Sequence, residues 1–138
     1  MATLNKFNCF VEDLAEKKHN LGADVLKICL TNSAPVATNT VYANITDLTT
    51  GGGYTAGGTA ATITSSAQTT GTYKLVLADV VFTATTGFGP FRYAVLYNDT
   101  DATKPLIGWA DYASSISLLA LETFTADFDP TNGVLTIV

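Results

Sequence analysis

The first apolar residues recur at a helical spacing. Phe7, Phe10, Val11 and Leu14 fall at i, i+3, i+4 and i+7, while Glu12, Asp13, Glu16, Lys17 and Lys18 take the other positions. This pattern predicts an amphipathic helix of about three turns, with Asn5 as its cap and Gly22 at its end. The period then changes to two. Val25, Lys27, Cys29 and Thr31 alternate with Leu26, Ile28 and Leu30, which predicts a strand closed by Asn32-Ser33-Ala34-Pro35. A short strand is expected over 41–45, and an edge strand rich in β-branched residues over 60–65. Between them, 49–59 reads as a glycine-rich loop around Tyr54.

The second half alternates more clearly. A strand is expected over 72–84, with a change of phase at Ala78-Asp79 that signals a bulge or bend. In the next strand, 90–98, Phe91, Tyr93, Val95 and Tyr97 share one face, and Arg92, Ala94 and Leu96 share the other. Its partner is 105–112, with Ile107 and Trp109 on one face. Strands over 115–119, 122–128 and 134–138 complete the set, with a turn at Asp129-Pro130-Thr131-Asn132-Gly133. About eight short strands with regular turn signals predict a mainly β fold, an antiparallel β-sandwich. The long loops favour Greek-key or jelly-roll crossings. Residues 1–22 form an N-terminal arm and helix, 23–138 the sandwich, and the whole 1–138 one domain.

Composition supports a packed β-domain: 47% of residues are hydrophobic and only 14% are charged. A net charge of −5 argues against a nucleic-acid partner, which needs clustered Lys and Arg. From Leu75 onward, Arg92 and Lys104 face seven acids, Asp79, Asp99, Asp101, Asp111, Glu122, Asp127 and Asp129. No apolar run is long enough to span a bilayer, and the acids near the N-terminus interrupt any signal-peptide pattern. Synthesis and folding in a cytoplasm are expected. Cys9 and Cys29 are too few for a zinc motif; one disulfide or two reduced thiols are both open, and nothing signals export.

Candidate chemistry is sparse. His19, the single histidine, sits near a helix end, where such residues cap carbonyls. The Gly51–Gly58 stretch lacks the Lys and the following helix of a phosphate loop and reads as a surface or contact loop. Asn98, Asp99 and Asp101 offer oxygen ligands without calcium-loop spacing, and Asp127 with Asp129 forms a second acidic pair; plain turns account for both. The aromatics Tyr42, Tyr54, Tyr73, Tyr93, Tyr97, Trp109 and Tyr112 fit a core, or a sugar- or protein-binding surface. No catalytic set, metal site or cofactor is expected, and the chain reads as something other than an enzyme.

Several segments carry a family resemblance: FNCFVEDLAEKKHNLGADVLKICLTNSAP, the GGYTAGG loop, TYKLVLADVVFTAT, GPFRYAVLYND with LIGWADY, and the closing ETFTADFDPTNGVLTIV. Together they resemble the small capsid-cementing, or decoration, proteins of tailed bacteriophages, those of short-tailed Bordetella phages among them. The resemblance implies a structural virion protein on the outer capsid surface, often a jelly roll, that locks neighbouring major capsid subunits against internal DNA pressure. It also implies self-association, most simply a symmetric homodimer, with a trimer as the other option. The apolar residues outside the clear sheet, Phe7, Phe10, Val11 and Tyr54, are then the expected capsid or self-contacts. The competing reading is a tail or fibre module that binds host glycans.

Overall fold

The computed structural model describes residues 3–138. It is mainly β, with antiparallel sheets and one short helix. In chain order the elements are β1 (Leu4–Lys6), α1 (Cys9–Ala15), β2 (Leu26–Thr31), a 3-10 turn (Tyr42–Asn44), β3 (Thr59–Ala61), β4 (Ile63–Thr69), β5 (Thr72–Leu77), β6 (Val80–Thr83), β7 (Gly87–Asn98), β8 (Leu106–Leu119), β9 (Thr123–Ala126) and β10 (Leu135–Ile137). A five-stranded sheet, β1-β8-β7-β2-β3, forms one layer. A three-stranded sheet, β10-β5-β4, and a two-stranded sheet, β6-β9, form the facing layer. An eight-stranded jelly roll has two Greek keys in a double sheet; here the strands divide five, three and two.

The main core lies between the layers. Leu26, Ile28 and Leu30 of β2, Phe91, Ala94 and Leu96 of β7 and Ile107 of β8 meet Leu75, Leu77, Val80 and Phe82 from the opposite layer. Fully burying one such large side chain contributes roughly 1.5–3 kcal/mol. A second, smaller cluster covers the other face of the large sheet: Phe7, Cys29, Val95, Tyr97 and Leu106, flanked by Tyr42, Ile45 and Trp109. The middle of the large sheet is therefore buried on both faces, which is why β2, after Lys27 at its start, carries Cys29 and Thr31 rather than charges between its apolar residues.

Several sequence expectations need correction. The helix has two turns, not three. It closes on Lys17 at φ 69, with Lys17 N–H on Leu14 O and Lys18 N–H on Asp13 O. That is a Schellman stop, five residues before Gly22. Asn5 lies in β1, paired with Trp109, and does not cap the helix. Residues 41–45 carry a 3-10 turn, because Asn44 Oδ1 accepts the Thr40 and Val41 N–H groups. The expected strand 60–65 divides between two sheets at Thr62, and 72–84 divides at Ala78-Asp79, where the phase changes. The expected strands 105–112 and 115–119 are one strand, β8, bulged around Ala113 at φ 71.

Register shifts explain two misplaced faces. Phe91 pairs with Ile116 but Tyr93 pairs with Asp111, so Phe91 turns into the main core, away from Val95 and Tyr97. A second shift lies between Leu96–Gly108 and Tyr97–Leu106. It sends Ile107 to the main core and Trp109 to the second cluster, against Phe7 at 4.6 Å.

Candidate functional site

From Ile28 to Tyr73 the chain has one Asp, Glu, Lys, Arg or His, namely Asp47. The fold spends that carboxylate internally. Its oxygens accept from Tyr42 Oη at 2.6 Å, from Tyr54 Oη and from the Gly57 N–H at 2.6 Å. Tyr54 Oη in turn accepts the Leu30 N–H at 3.0 Å, and Tyr97 Oη donates to Gly57 O at 2.6 Å. Burial, then the Asp47 hydrogen bond, pushes the Tyr42 and Tyr54 hydroxyls far above the usual phenol range. They stay protonated, as donors must. The network pins the glycine-rich loop onto the sheet and leaves no charge on it.

Four segments with few charges gather at one end of the sandwich: 32–35, 48–53, 83–89 and 113–122, the last of them the end of β8 and the turn after it. Ser115 Oγ donates to Asn32 Oδ1 at 2.9 Å. Gly52 O accepts the Thr85, Thr86 and Gly87 N–H groups at 2.8, 3.3 and 3.2 Å. Ala84 N–H donates to Glu122 O, and Leu121 N–H to Ala84 O. The backbones approach closely; a Cβ on Gly52 would lie 1.8 Å from Gly87 O. Glu122 is the one ionisable side chain in these loops, and its carboxylate accepts the Leu119 N–H at 2.8 Å. Leu119 and Leu121 stand out from this end, 69% and 81% exposed, and Val81 follows on β6 at 53%. A stiff surface with large apolar side chains and a single carboxylate is suited to bind another protein surface, since interface centres are depleted in charge.

The opposite end holds three of the four ion pairs found among the described residues; the fourth joins Arg92 to Asp111 at 2.7 Å. Asp99 lies between Lys104 and Lys27, the latter at 3.1 Å, and its carboxyl is held below the usual range chiefly by the Lys104 hydrogen bond. Lys18 pairs with Asp13 at 3.0 Å. Asn98 Oδ1 accepts the Thr100 N–H, and Asp101 Oδ1 accepts from Thr103. The oxygens of 98–101 are thus used locally, and among the described residues no three His, Cys, Asp or Glu side chains converge.

His19 packs beside Phe10 at this end and is buried. Its Nδ1 accepts from Asn98 Nδ2 at 3.1 Å, which places the proton on Nε2, itself without a partner among the described residues. Burial lowers its pKa from 6.5, against the raising effect of Asp13, Asp24 and Asp101. The unfolded chain therefore takes up this proton at a higher pH than the native one. Stability is expected to be full above pH 6.5 and to decline as pH falls below it. Urea titrations at stepped pH from neutral towards the carboxylate range check this; a His19→Gln variant should lose the slope, and an unchanged slope in that variant would sink the assignment.

Of the expected contact residues, the structure puts three inside. Phe7 is fully buried, and Phe10 and Tyr54 are 5% and 2% exposed. The Tyr54 ring packs against Phe82 and Phe88. Val11 alone is on the surface, at 53%. Phe7 precedes the helix and turns under Trp109, and Phe10 packs into the main core. Leu119 and Leu121 went unnoticed in the sequence, where the run Leu118-Leu119-Ala120-Leu121 reads as the close of a core strand. Both cysteines are free thiols, Cys29 buried and Cys9 half-buried, and burial raises the pKa of each.

Comparison with family models, with curated proteins and with solved structures gives no significant match.

Proposed function

We propose that this chain is a structural virion protein that binds the outside of an icosahedral bacteriophage capsid and cements neighbouring major capsid subunits. The observation that carries the reading is the charge-poor end bearing Leu119 and Leu121, on a scaffold whose own polar groups are spent in holding its loops. The sequence resemblance supplies the partner. In this reading the charge-poor end faces the shell. Each contact is modest, and bridging two subunits makes the second contact effectively intramolecular. The working location is the outer capsid surface, after synthesis in the host cytoplasm, and self-association adds a further link.

The glycan-binding alternative calls for exposed aromatic rings as stacking platforms. The exposed large apolar side chains are valine, leucine and isoleucine, and every Phe, Tyr and Trp is buried or half-buried. No observation favours that alternative.

The test is binding to capsid shells that lack the protein. Leu119→Asp with Leu121→Asp should weaken it at least tenfold, since burying one leucine is worth roughly 1.5–3 kcal/mol and about 1.4 kcal/mol is tenfold. Val11→Asp, on the helix, serves as the comparison. Undiminished binding by the double variant, with its fold intact by circular dichroism, would overturn the assignment of this surface.

A further inference from the structure

The sheets leave six edge strands, and five are short: β1, β3 and β10 have three residues, β6 and β9 four. β4 differs. It has seven residues, Ile63–Thr69, at the end of the three-stranded sheet. Natural edges are blunted by brevity, charge, proline or bulges, because unpaired amides and carbonyls recruit another strand. β4 has a bulge only at its start, between Ile63 and Ser65, and no charge or proline along its length. Ser65, Ala67, Gln68 and Thr69 are exposed.

The hairpin turn sets which amides are free. Thr70 and Gly71 have φ 50 and 86, and Thr69 pairs with Thr72. Two positive φ values in a two-residue loop make a type I′ turn. Its flanking pair, Thr69–Thr72, is hydrogen-bonded, and the antiparallel ladder alternates from there. Thr69, Ala67 and Ser65 thus turn their backbone groups to β5, and Gln68 and Ser66 turn theirs to the open edge.

We propose that this edge pairs with β4 of a second copy, antiparallel, with Ala67 on the two-fold axis. In that register Ser66 faces the partner's Gln68 and Gln68 the partner's Ser66, and all the outward amides and carbonyls of these residues are satisfied. Ala67 faces its own copy in a non-hydrogen-bonded pair, where Cα atoms come within about 4.5 Å and a small side chain is required. Charge favours the same occupant. Two copies of a chain of net charge −5 repel, and β4 offers a strip on which no carboxylate confronts its copy. The nearest charge, Lys74 opposite Ala67 on β5, is drawn to Thr131 O at 2.7 Å. A two-fold pair also consumes both edges, so assembly stops at two. One strand pair covers less than the roughly 800 Å² per partner of a standard interface, so the dimer is expected to be weak and concentration-dependent.

This inference gives the self-association named in the capsid reading a specific interface, and it does not depend on that reading, since it uses neither Leu119 nor Leu121. It is tested with the whole chain by sedimentation equilibrium up to about 1 mM, the weak limit of useful affinity. The wild type should shift from monomer to dimer. Ala67→Glu, which meets Lys74 within its own sheet but its own copy across the axis, should stay monomeric with unchanged thermal stability. Ala67→Cys should form a disulfide-linked dimer on mild oxidation that the wild type does not form, because paired Cα atoms fall at the near limit of about 4.4–6.8 Å for a disulfide. A wild type that remains monomeric, a dimer that survives Ala67→Glu, or an Ala67→Cys chain that fails to cross-link would each overturn the proposal.

Discussion

Replacing Gly58 with alanine should remove about 2–5 kcal/mol of stability, the sum of a left-handed residue and an overpacked contact. Gly58 sits at φ 79, just before β3, and a Cβ there would lie 1.8 Å from Ile28 O and 2.5 Å from Ile28 C. Those atoms belong to the backbone of β2, held between β7 and β3, so no side-chain rotation relieves the clash. Either β3 leaves the sheet edge or β2 shifts against β7. Gly71 is the control. It has the same sign of φ, at 86, but nothing within 4 Å of its would-be Cβ. Gly71→Ala should cost only the conformational part, about 1–2 kcal/mol. Urea denaturation of both variants separates the two terms. Equal losses would mean that the close approach of the loop to β2 contributes nothing.

Asp47→Ala is the second large effect, expected at about 3–5 kcal/mol, because hydrogen bonds to a charged group are worth about 1.5–3 kcal/mol each and buried donors are left without acceptors. The Tyr54 hydroxyl and the Gly57 N–H both lose their acceptor. Asp47→Asn should recover little, since its amide would place donors against donors. Tyr54→Phe removes the hydroxyl that accepts the Leu30 N–H, and its cost should not add to that of Asp47→Ala, because both break one network. Faster hydrogen exchange at Gly57 and Leu30 in the Asp47 variant is the local signature. A loss below about 1 kcal/mol, the value of one ordinary hydrogen bond, would show that the carboxylate is dispensable.

Asp47 did not stand out in the sequence. Asp47 was one acid in a polar stretch, and nothing local reveals that two tyrosines and a glycine amide converge on it from positions up to ten residues away. Tyr54 attracted notice for a sound reason, an aromatic in a glycine-rich loop, and the loop is where it was expected. Its burial depends on Phe82 and Phe88, far along the chain, and on an acceptor for its hydroxyl. Strand positions were legible wherever alternation was strict, as in β2 and β5. The phase change at Ala78-Asp79 correctly marked a break. Periodicity could not reveal the register shifts of β7 and β8, because a bulge inverts the faces of Phe91 and Ile107 without altering a letter. The charge-poor end was legible only after folding. Its loops come from four separate stretches, each unremarkable alone.

The place of β2 in the large sheet has a consequence for synthesis. Leu26, Ile28, Leu30 and Cys29 leave the ribosome early, and β2 is buried on both faces once folded. Its longer neighbour, β7, emerges about 60 residues later, a delay of several seconds at about 5–20 residues per second. Until then β2 is an apolar ribbon with open edges and no partner of its own length. The risk of misassembly in this protein therefore belongs to an interval during translation and to six residues. It vanishes from the finished molecule, whose most concealed strand was for a time its most exposed.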